Sequence, residues 1–188
     1  MTDINPYQFK FDKTNLNGKY IIKYNNGNIK TISYYKHGVL DGKYEEYFEN
    51  GNIKAKSNYK NGKLDGKCIE YFENGNIFIK CNFKNDKLDG SYFLYYENNI
   101  IHIKSWYKDG KTNGELIVYY KNGNISNKSY LKNDELDGEY FEYTEDGKIK
   151  AHKLYKNNRL VKNYLKENIT KAELRKIFRH ILYESKQT

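Results

Sequence analysis

The residues from Leu64 to Ile77 read Leu-Asp-Gly-Lys-Cys-Ile-Glu-Tyr-Phe-Glu-Asn-Gly-Asn-Ile, and the rest of the chain repeats this stretch. The same pattern stands 24 residues earlier, from Leu40 to Ile53, and a weaker version stands 24 residues later, from Leu88 to Ile101. Aligned from Leu16, the chain holds six copies of 24 residues without insertion or deletion, and the last copy ends at Arg159. A repeat of this length predicts an array of small units, each packing on its neighbours.

Three positions of the repeat never change. A glycine opens every copy: Gly18, Gly42, Gly66, Gly90, Gly114 and Gly138. An isoleucine follows the middle of every copy: Ile29, Ile53, Ile77, Ile101, Ile125 and Ile149. A lysine precedes the end of every copy: Lys36, Lys60, Lys84, Lys108, Lys132 and Lys156.

The composition predicts a folded chain with an unusual core. Only 38% of the 188 residues are hydrophobic, but 16% are aromatic, and 21 of them are tyrosines. Disordered chains are poor in aromatic residues, so we expect a fold built on amphipathic tyrosine. The net charge of +9 permits attraction to acidic partners without identifying one.

Each copy carries two turn signals. The middle of the second copy has Asn50-Gly51 and its end has Asn61-Gly62, and equivalent pairs recur in the other copies. Asn-Gly between alternating segments predicts a two-residue hairpin loop in which both residues have positive φ. Two tight turns in 24 residues leave two strands of about eight residues, which is an ordinary strand length.

A two-residue loop at Asn50-Gly51 predicts the strand register. It pairs Phe48 with Ile53, Glu46 with Ala55, Tyr44 with Ser57 and Gly42 with Tyr59 on one side of the sheet, which we call the inner face. There the glycine leaves room for the ring opposite. The other side, the outer face, pairs Tyr47 with Lys54 and Glu45 with Lys56. Repetition predicts one meandering antiparallel sheet of stacked hairpins, a rod of roughly 60 Å.

The outer face is the candidate binding face. Its tyrosines are Tyr47, Tyr71, Tyr95, Tyr119 and Tyr143, and its lysines are Lys56, Lys80, Lys104 and Lys128. The simplest interpretation is a solvated face, on which lysines protect the sheet and Tyr–Lys pairs pack across strands. The functional interpretation is an interface, because aromatic residues are enriched at interfaces.

The sequence predicts no catalytic residue, no metal site and no cofactor. The four histidines lack metal-ligand spacing, and no phosphate-binding loop is present. Glu46, Glu70 and Glu142 share one inner-face position and could act as an acid–base pair, although hydrogen bonding to nearby tyrosines is the simpler role. We interpret Cys68 and Cys81 as small packing residues.

The ends of the chain depart from the repeat. Residues 1–15 contain a segment that could form an edge strand, and residues 160–167 begin a seventh copy and break off. Residues 168–188 predict an amphipathic helix, because Thr170 and Glu173 form a capping box. Its apolar stripe consists of Leu174, Ile177, Phe178, Ile181 and Leu182. We expect this helix to cover the last repeats or to join two copies in a homodimer.

The copies from Leu40 to Lys63 and from Leu64 to Lys87 resemble the variant form of the MORN repeat (membrane occupation and recognition nexus). The resemblance extends from Leu16 to Arg159, although the fourth copy has Asn99 for the turn glycine. The fifth copy also lacks the Leu-Asp that normally precedes Gly114. The resemblance implies a stack of β-hairpins that acts as a scaffold, a dimerising rod or a lipid-associated module. It brings no catalytic motif.

We therefore expect an all-β, non-enzymatic protein that binds another protein. The alternatives are a binder of anionic lipid or nucleic acid that uses the lysine rows and, more remotely, an enzyme that uses the inner carboxylates. The first residues carry no basic-then-apolar leader, and no apolar run approaches the length of a membrane span, which predicts a soluble cytoplasmic protein.

Overall fold

The computed structural model describes residues 16–165, which contain fourteen β-strands. The strands are β1 (Gly18–Lys23), β2 (Ile29–Lys36), β3 (Val39–Tyr47), β4 (Ile53–Lys60), β5 (Lys63–Leu64), β6 (Gly66–Tyr71), β7 (Ile77–Lys84), β8 (Lys87–Tyr95), β9 (Ile101–Lys108), β10 (Lys111–Tyr119), β11 (Ile125–Lys132), β12 (Glu135–Tyr143), β13 (Ile149–Lys156) and β14 (Arg159–Asn163).

The strands follow one another in the sheet in the order in which they occur in the chain, with β5 pairing β4 beside β6. This confirms the predicted all-β antiparallel meander. The predicted helix of residues 168–188 and the predicted edge strand of residues 1–15 lie outside the described residues. Two compact units can be distinguished. Within the described residues, one contains residues 16–100 and Tyr107–Gly110, and the other contains Ile101–Trp106 and residues 111–165.

The strand register matches the prediction along most of each hairpin. In the first unit, Gly42 pairs with Tyr59, Tyr44 with Ser57 and Glu46 with Ala55, and Gly66 pairs with Phe83. In the second unit, the equivalent pairs are Gly114 with Leu131 and Gly138 with Tyr155. The fixed 24-residue spacing therefore places equivalent side chains on the same face in successive copies.

The predicted two-residue loop in the middle of the copy is wrong. The Phe48 N–H donates to the Asn52 carbonyl, and the Gly51 N–H donates to the Phe48 carbonyl. Only Gly51 has positive φ, at 89°. This is a three-residue loop, a type I turn followed by a glycine bulge. The Asn50 carboxamide selects it by accepting the Asn52 N–H at 2.8 Å.

The longer loop changes the register at the end of the hairpin. A bulge lies next to Tyr47, which pairs with Ile53 and not with Lys54, so the predicted pairs Phe48–Ile53 and Tyr47–Lys54 are wrong. Ile53 therefore lies on the outer face with Tyr47. Lys54 lies on the inner face, where its Nζ is 2.7 Å from Glu46 Oε1.

The second turn of each copy has the two-residue geometry. In the first unit, Lys60 pairs with Lys63 around Asn61 and Gly62, whose φ angles are 51° and 80°. In the second unit, Lys132 pairs with Glu135 around Asn133 and Asp134, which also have positive φ. Asparagine and aspartate tolerate this left-handed conformation better than other side chains, which explains their use here.

The Leu-Asp-Gly motif stabilises this second turn through a hydrogen bond. Asp41 Oδ2 accepts the backbone N–H of Asn61 at 3.0 Å, twenty residues further along the chain. Gly42 has a φ of 119°, and a Cβ added there would lie 3.2 Å from Tyr34 Cβ. The glycine is therefore needed for its backbone conformation and for the neighbouring Tyr34. The predicted reason, room for the ring of Tyr59 opposite, is wrong.

Side chains are buried on both faces of the sheet. The inner face buries small residues from the second strands of the copies: Ser33, Ser57, Cys81, Ser105 and Ser129. Tyrosines lie beside several of them, since Tyr44 pairs with both Ser33 and Ser57. The outer face of the second unit buries Ile117, Phe141 and His152. The expectation of a simply solvated outer face is therefore wrong in the second unit.

Candidate binding face

Several residues of the predicted binding face share one side of the sheet within each unit. In the first unit, Lys56 pairs with Glu45, Lys80 pairs with Ile69, and Tyr47 and Tyr71 each lie two residues beyond those partners. In the second unit, Lys128 pairs with Ile117, two residues before Tyr119, and Tyr143 lies two residues beyond Phe141. Tyr95 ends β8, and Lys104 lies in β9.

The tyrosines and lysines of this face are held differently. All five tyrosines are half-buried, whereas Lys56, Lys80 and Lys104 are exposed and Lys128 is half-buried. The Tyr47 hydroxyl donates to Glu45 Oε2 at 2.9 Å, and burial raises the pKa of Tyr119 and Tyr143. Burial therefore favours the neutral form of Tyr119 and Tyr143, and the rings of this face are partly covered, whereas three of its four lysines are exposed.

A second set of tyrosines hydrogen-bonds to the backbone of the first set. The sequence analysis did not identify this second set. The Tyr24 hydroxyl donates to the Tyr47 carbonyl at 2.7 Å, and the Tyr120 hydroxyl donates to the Tyr143 carbonyl at 2.8 Å. Each bond joins one copy to the next. The recurrence of an aromatic residue just before the Asn-Gly loop was the available signal, but it gave no hydrogen-bond partner.

The outer face of the first unit contains a basic concavity. It is lined by Lys43 and Glu45 from β3, by Lys56 and Asn58 from β4, and by Lys67 and Ile69 from β6, with a volume of about 270 Å³. Tyr44 and Ser57 complete the lining. We call Lys43, Lys56 and Lys67 the lysine triad. None of them makes an ion pair with another residue in the described part of the chain.

Sequence reasoning identified only Lys56 of this triad. The signal for the other two was present, because the residue after the opening glycine is lysine in the first three copies (Lys19, Lys43 and Lys67) and Ser91, Glu115 and Glu139 in the last three. The grouping depends on the register across three strands, because Lys43 pairs with Asn58 on β4 and Asn58 in turn donates to the Lys67 carbonyl. Lys56 lies two residues before Asn58 on the same strand.

On the outer face of the second unit, two basic side chains lie beside carboxylates. Lys128 Nζ lies 2.7 Å from Glu115 Oε1, and His152 Nε2 lies 3.6 Å from Glu139 Oε1. The His152 ring is stacked between Phe141 and Tyr164, with centroid separations of 4.2 and 4.1 Å. Burial between these rings lowers the pKa of His152 and favours the neutral imidazole.

The inner-face carboxylates Glu46 and Glu142 lie beside lysines. Glu46 and Glu142 are ion-paired with Lys54 and Lys150 on the neighbouring strands, and each lysine directly precedes the alanine that pairs with the glutamate, which favours a packing role for these carboxylates. Cys68 and Cys81 are buried free thiols in directly opposed positions, in keeping with the packing interpretation. No cluster of three metal-ligating side chains occurs in this part of the chain.

Comparison with known proteins identifies the repeat. A family model described as the MORN repeat variant matches residues 16–37, 40–61, 64–85, 112–133 and 136–157. The copy with Asn99 in place of the turn glycine falls between the matched segments. The chain has no match among curated proteins. Within residues 16–165, no helix has the length and apolar character needed to cross a membrane.

Proposed function

Because the chain belongs to the MORN repeat variant family, we propose that it is a non-enzymatic scaffold that binds a protein partner through the outer face. Repeats of this family are generally associated with scaffolds for proteins or membranes. The proposal commits to the outer face of the first unit, around Tyr47, Tyr71 and the lysine triad.

One observation carries the proposal: fixed tyrosine rings lie beside lysines that have no counter-ion in the described chain. Half-buried tyrosine gives large contact area and has little side-chain freedom to lose on binding. An unpaired ammonium group is available to an acidic partner, and such charges raise the association rate and select the partner. In the second unit, the outer-face lysine Lys128 is already paired with Glu115.

The proposal is tested by affinity capture from the source cell with two matched double variants. Lys56→Ala/Lys80→Ala removes two charges from the middle of the outer face, and Lys60→Ala/Lys84→Ala removes two charges from the ends of the same strands, beside the second turns. We expect the first variant to lose a captured protein that the second retains, with unchanged melting temperatures for both. Equal capture by both variants would contradict the assignment of the face.

The lysine rows also support a second candidate function, the binding of anionic lipid or nucleic acid. Binding driven by many phosphate contacts weakens steeply as salt is raised, whereas an interface built on aromatic rings depends on salt only weakly. Titration with single-stranded DNA and with phosphatidylserine vesicles at two salt concentrations separates the two functions. Tight, salt-sensitive binding to either probe would favour this second function.

A further inference from the structure

The lysine triad is assembled by three adjacent strands. Lys43 and Lys67 occupy equivalent positions in consecutive copies, so they lie about 10 Å apart across two strand spacings. Lys56 and Asn58 lie on β4, the strand between them, and the Asn58 side chain donates to the Lys67 carbonyl at 3.2 Å. This bond ties β6 to β4 beneath the lysines. The three ammonium groups can thus reach one point above β4.

The charges around this point are unbalanced. Three lysines and one carboxylate, that of Glu45, line the concavity. Glu45 already accepts a hydrogen bond from the Tyr47 hydroxyl. At the equivalent place in the second unit, Glu115 stands where the first unit has lysine, and it pairs with Lys128 at 2.7 Å. Two positive charges therefore remain uncompensated in the first unit, which matches a dianion.

The size of the concavity limits the ligand. A volume of about 270 Å³ lies below the usual range of about 300 to 1,000 Å³ for sites that enclose a drug-sized ligand. It can receive one anionic group and the few atoms that carry it. A phosphate monoester fits these limits, because it carries a charge of about −1.5 to −2 at neutral pH and offers three acceptor oxygens.

We propose that the lysine triad binds a phosphate monoester on a side chain of the protein partner, so that phosphorylation of the partner controls its binding to this scaffold. The inference rests on the proposed function and names the chemistry of its partner. The protein source is favoured over a membrane because the loops that follow the strands of Lys43 and Lys67 carry exposed carboxylates, Glu49 and Glu73. A continuous anionic bilayer would approach these carboxylates, whereas a single phosphorylated side chain need not.

The test uses the full chain and three probes. The first is a fluorescent peptide of glycine and serine with one central phosphoserine, the second is the same peptide without phosphate, and the third is a vesicle of phosphatidylcholine and phosphatidylserine. We expect the phosphopeptide to bind at least about tenfold more tightly than its twin, as charge-assisted hydrogen bonds require. It should shift the amide resonances of Lys43, Lys56 and Lys67. Its affinity should fall below about pH 6, where the phosphate gains a proton.

Two triple variants make the test specific. Lys43→Gln/Lys56→Gln/Lys67→Gln should abolish the preference for the phosphopeptide. Lys60→Gln/Lys63→Gln/Lys87→Gln, which removes the same charge from exposed positions of the first unit, should retain it. Equal weakening in both variants, or equal binding of the two peptides, overturns the inference. Vesicle binding that depends on the triad, without phosphopeptide binding, overturns it in favour of a membrane surface.

Failure of this inference can be separated from failure of the proposed function. If the Lys43→Gln/Lys56→Gln/Lys67→Gln variant still captures a partner that a Tyr47→Ala/Tyr71→Ala variant loses, the outer face is an interface without a phosphate site. If neither variant changes capture, both proposals are wrong.

Discussion

At Gly138 the backbone has a φ of 143°, and an added Cβ would lie 2.8 Å from Tyr130 Cβ. At Gly114 the φ is 102°, but no atom lies within 4 Å of such a Cβ. The two glycines occupy the same position of the repeat and lie in the same unit. A side chain at Gly114 would therefore meet only the cost of a positive φ, whereas a side chain at Gly138 would meet that cost and a steric clash.

We predict that Gly138→Ala destabilises the protein more than Gly114→Ala. Gly114→Ala should cost about 1 to 2 kcal/mol, because a side chain disfavours the left-handed region. Gly138→Ala should add about 1 to 3 kcal/mol of overpacking against Tyr130. Urea denaturation of both variants measures the difference, and equal midpoints would show that Tyr130 moves aside without cost.

His152 makes stability depend on pH. Its folded-state pKa lies below the ordinary value of 6.5, so the unfolded chain takes up a proton first as the pH falls. Stability should therefore decline as the pH drops below about 6.5, with the loss saturating below the folded-state pKa. The carboxylate of Glu139, 3.6 Å away, opposes this effect but does not outweigh burial.

We predict that His152→Phe removes this decline, because phenylalanine can stack between Phe141 and Tyr164 without taking up a proton. The measurement is the melting temperature between pH 7.5 and about 5, a range that brackets the ordinary histidine pKa. His37→Gln, which replaces an exposed histidine of a second turn, is the control and should retain the decline. A decline that persists in His152→Phe would locate the titrating group elsewhere.

At the scale of the element, asparagines in the hairpin loops link each copy to the next. The side-chain nitrogen of Asn28 donates to the Glu49 carbonyl, that of Asn52 to the Glu73 carbonyl, and that of Asn124 to the Glu145 carbonyl, each at 2.9 Å. Each of these bonds spans 21 residues, so it depends on the fixed length of the repeat. In the second copy, the Asn50 side chain therefore stabilises the loop conformation, and the Asn52 side chain makes the contact with the next copy.

Asn52→Ala should destabilise the protein by about 0.5 to 1.5 kcal/mol, the usual net value of such a hydrogen bond. Lys148→Ala is the matched control, because Lys148 has the same loop position in the sixth copy and makes only an exposed ion pair with Asp146. Thermal unfolding of the two variants gives the comparison. An equal or larger loss of stability in Lys148→Ala would show that the asparagine hydrogen bond makes no net contribution to stability.

The third hairpin lacks an aromatic pair found in others. Tyr44 and Tyr59 meet edge to face with ring centroids 5.8 Å apart, and Tyr92 and Tyr107 do so at 5.5 Å. In the third copy, Cys68 replaces the first tyrosine of this pattern, and its cross-strand partner, usually serine, is Cys81. Phe83 of this copy therefore lies without the edge-to-face partner.

We predict that Cys68→Tyr/Cys81→Ser stabilises the protein by about 0.5 to 1.5 kcal/mol, because it restores an edge-to-face contact with Phe83. Cys68→Tyr alone should stabilise less, since the tyrosine then meets a cysteine where other copies have serine. The midpoint of urea denaturation measures both variants. A destabilised double variant would mean that the thiol pair is packed too closely to be replaced.

The hairpins show where sequence reasoning succeeds and where it stops. The register from Gly42 to Glu46 follows from alternation and was predicted. The loop was not, because Asn-Gly suits both a two-residue loop and a type I turn with a glycine bulge. Only the hydrogen bond from Asn52 to Asn50 decides between them. One misassigned loop then placed Ile53 on the wrong face.

Over the whole described chain, the repeat predicted the strand order correctly, whereas the binding role of the tyrosine and lysine rows stays a prediction. It did not predict burial on both faces, because alternation alone cannot say which side chains cover one another. Buried Ser57 pairs with Tyr44 on the adjacent strand, and buried Phe141 stacks on the ring of His152. Both contacts join residues whose relation depends on register and ring orientation.

We predict that removal of residues 40–63 leaves a folded protein, because Val39 is then followed by Leu64 and the side chain of Asn28 meets the Glu73 carbonyl in place of the Glu49 carbonyl. Circular dichroism should show an unchanged β signal per residue and one cooperative transition. Removal of residues 40–51, half a copy, should abolish that transition. The strand β4 would then follow the turn at Gly38 and pair with β2 in place of β3, with its inner and outer side chains on exchanged faces.

The asparagine bonds between copies thus have a consequence for the history of the chain. Because each bond reaches a fixed distance forward to a backbone atom, it accepts any neighbouring copy regardless of that copy's side chains. Genetic exchange between misaligned copies would add or remove whole 24-residue copies without a folding penalty. Insertion of a single codon would instead break the series of hydrogen bonds between copies. Copy number is therefore free to vary in evolution while repeat length is not, and each copy remains free to acquire its own outer face.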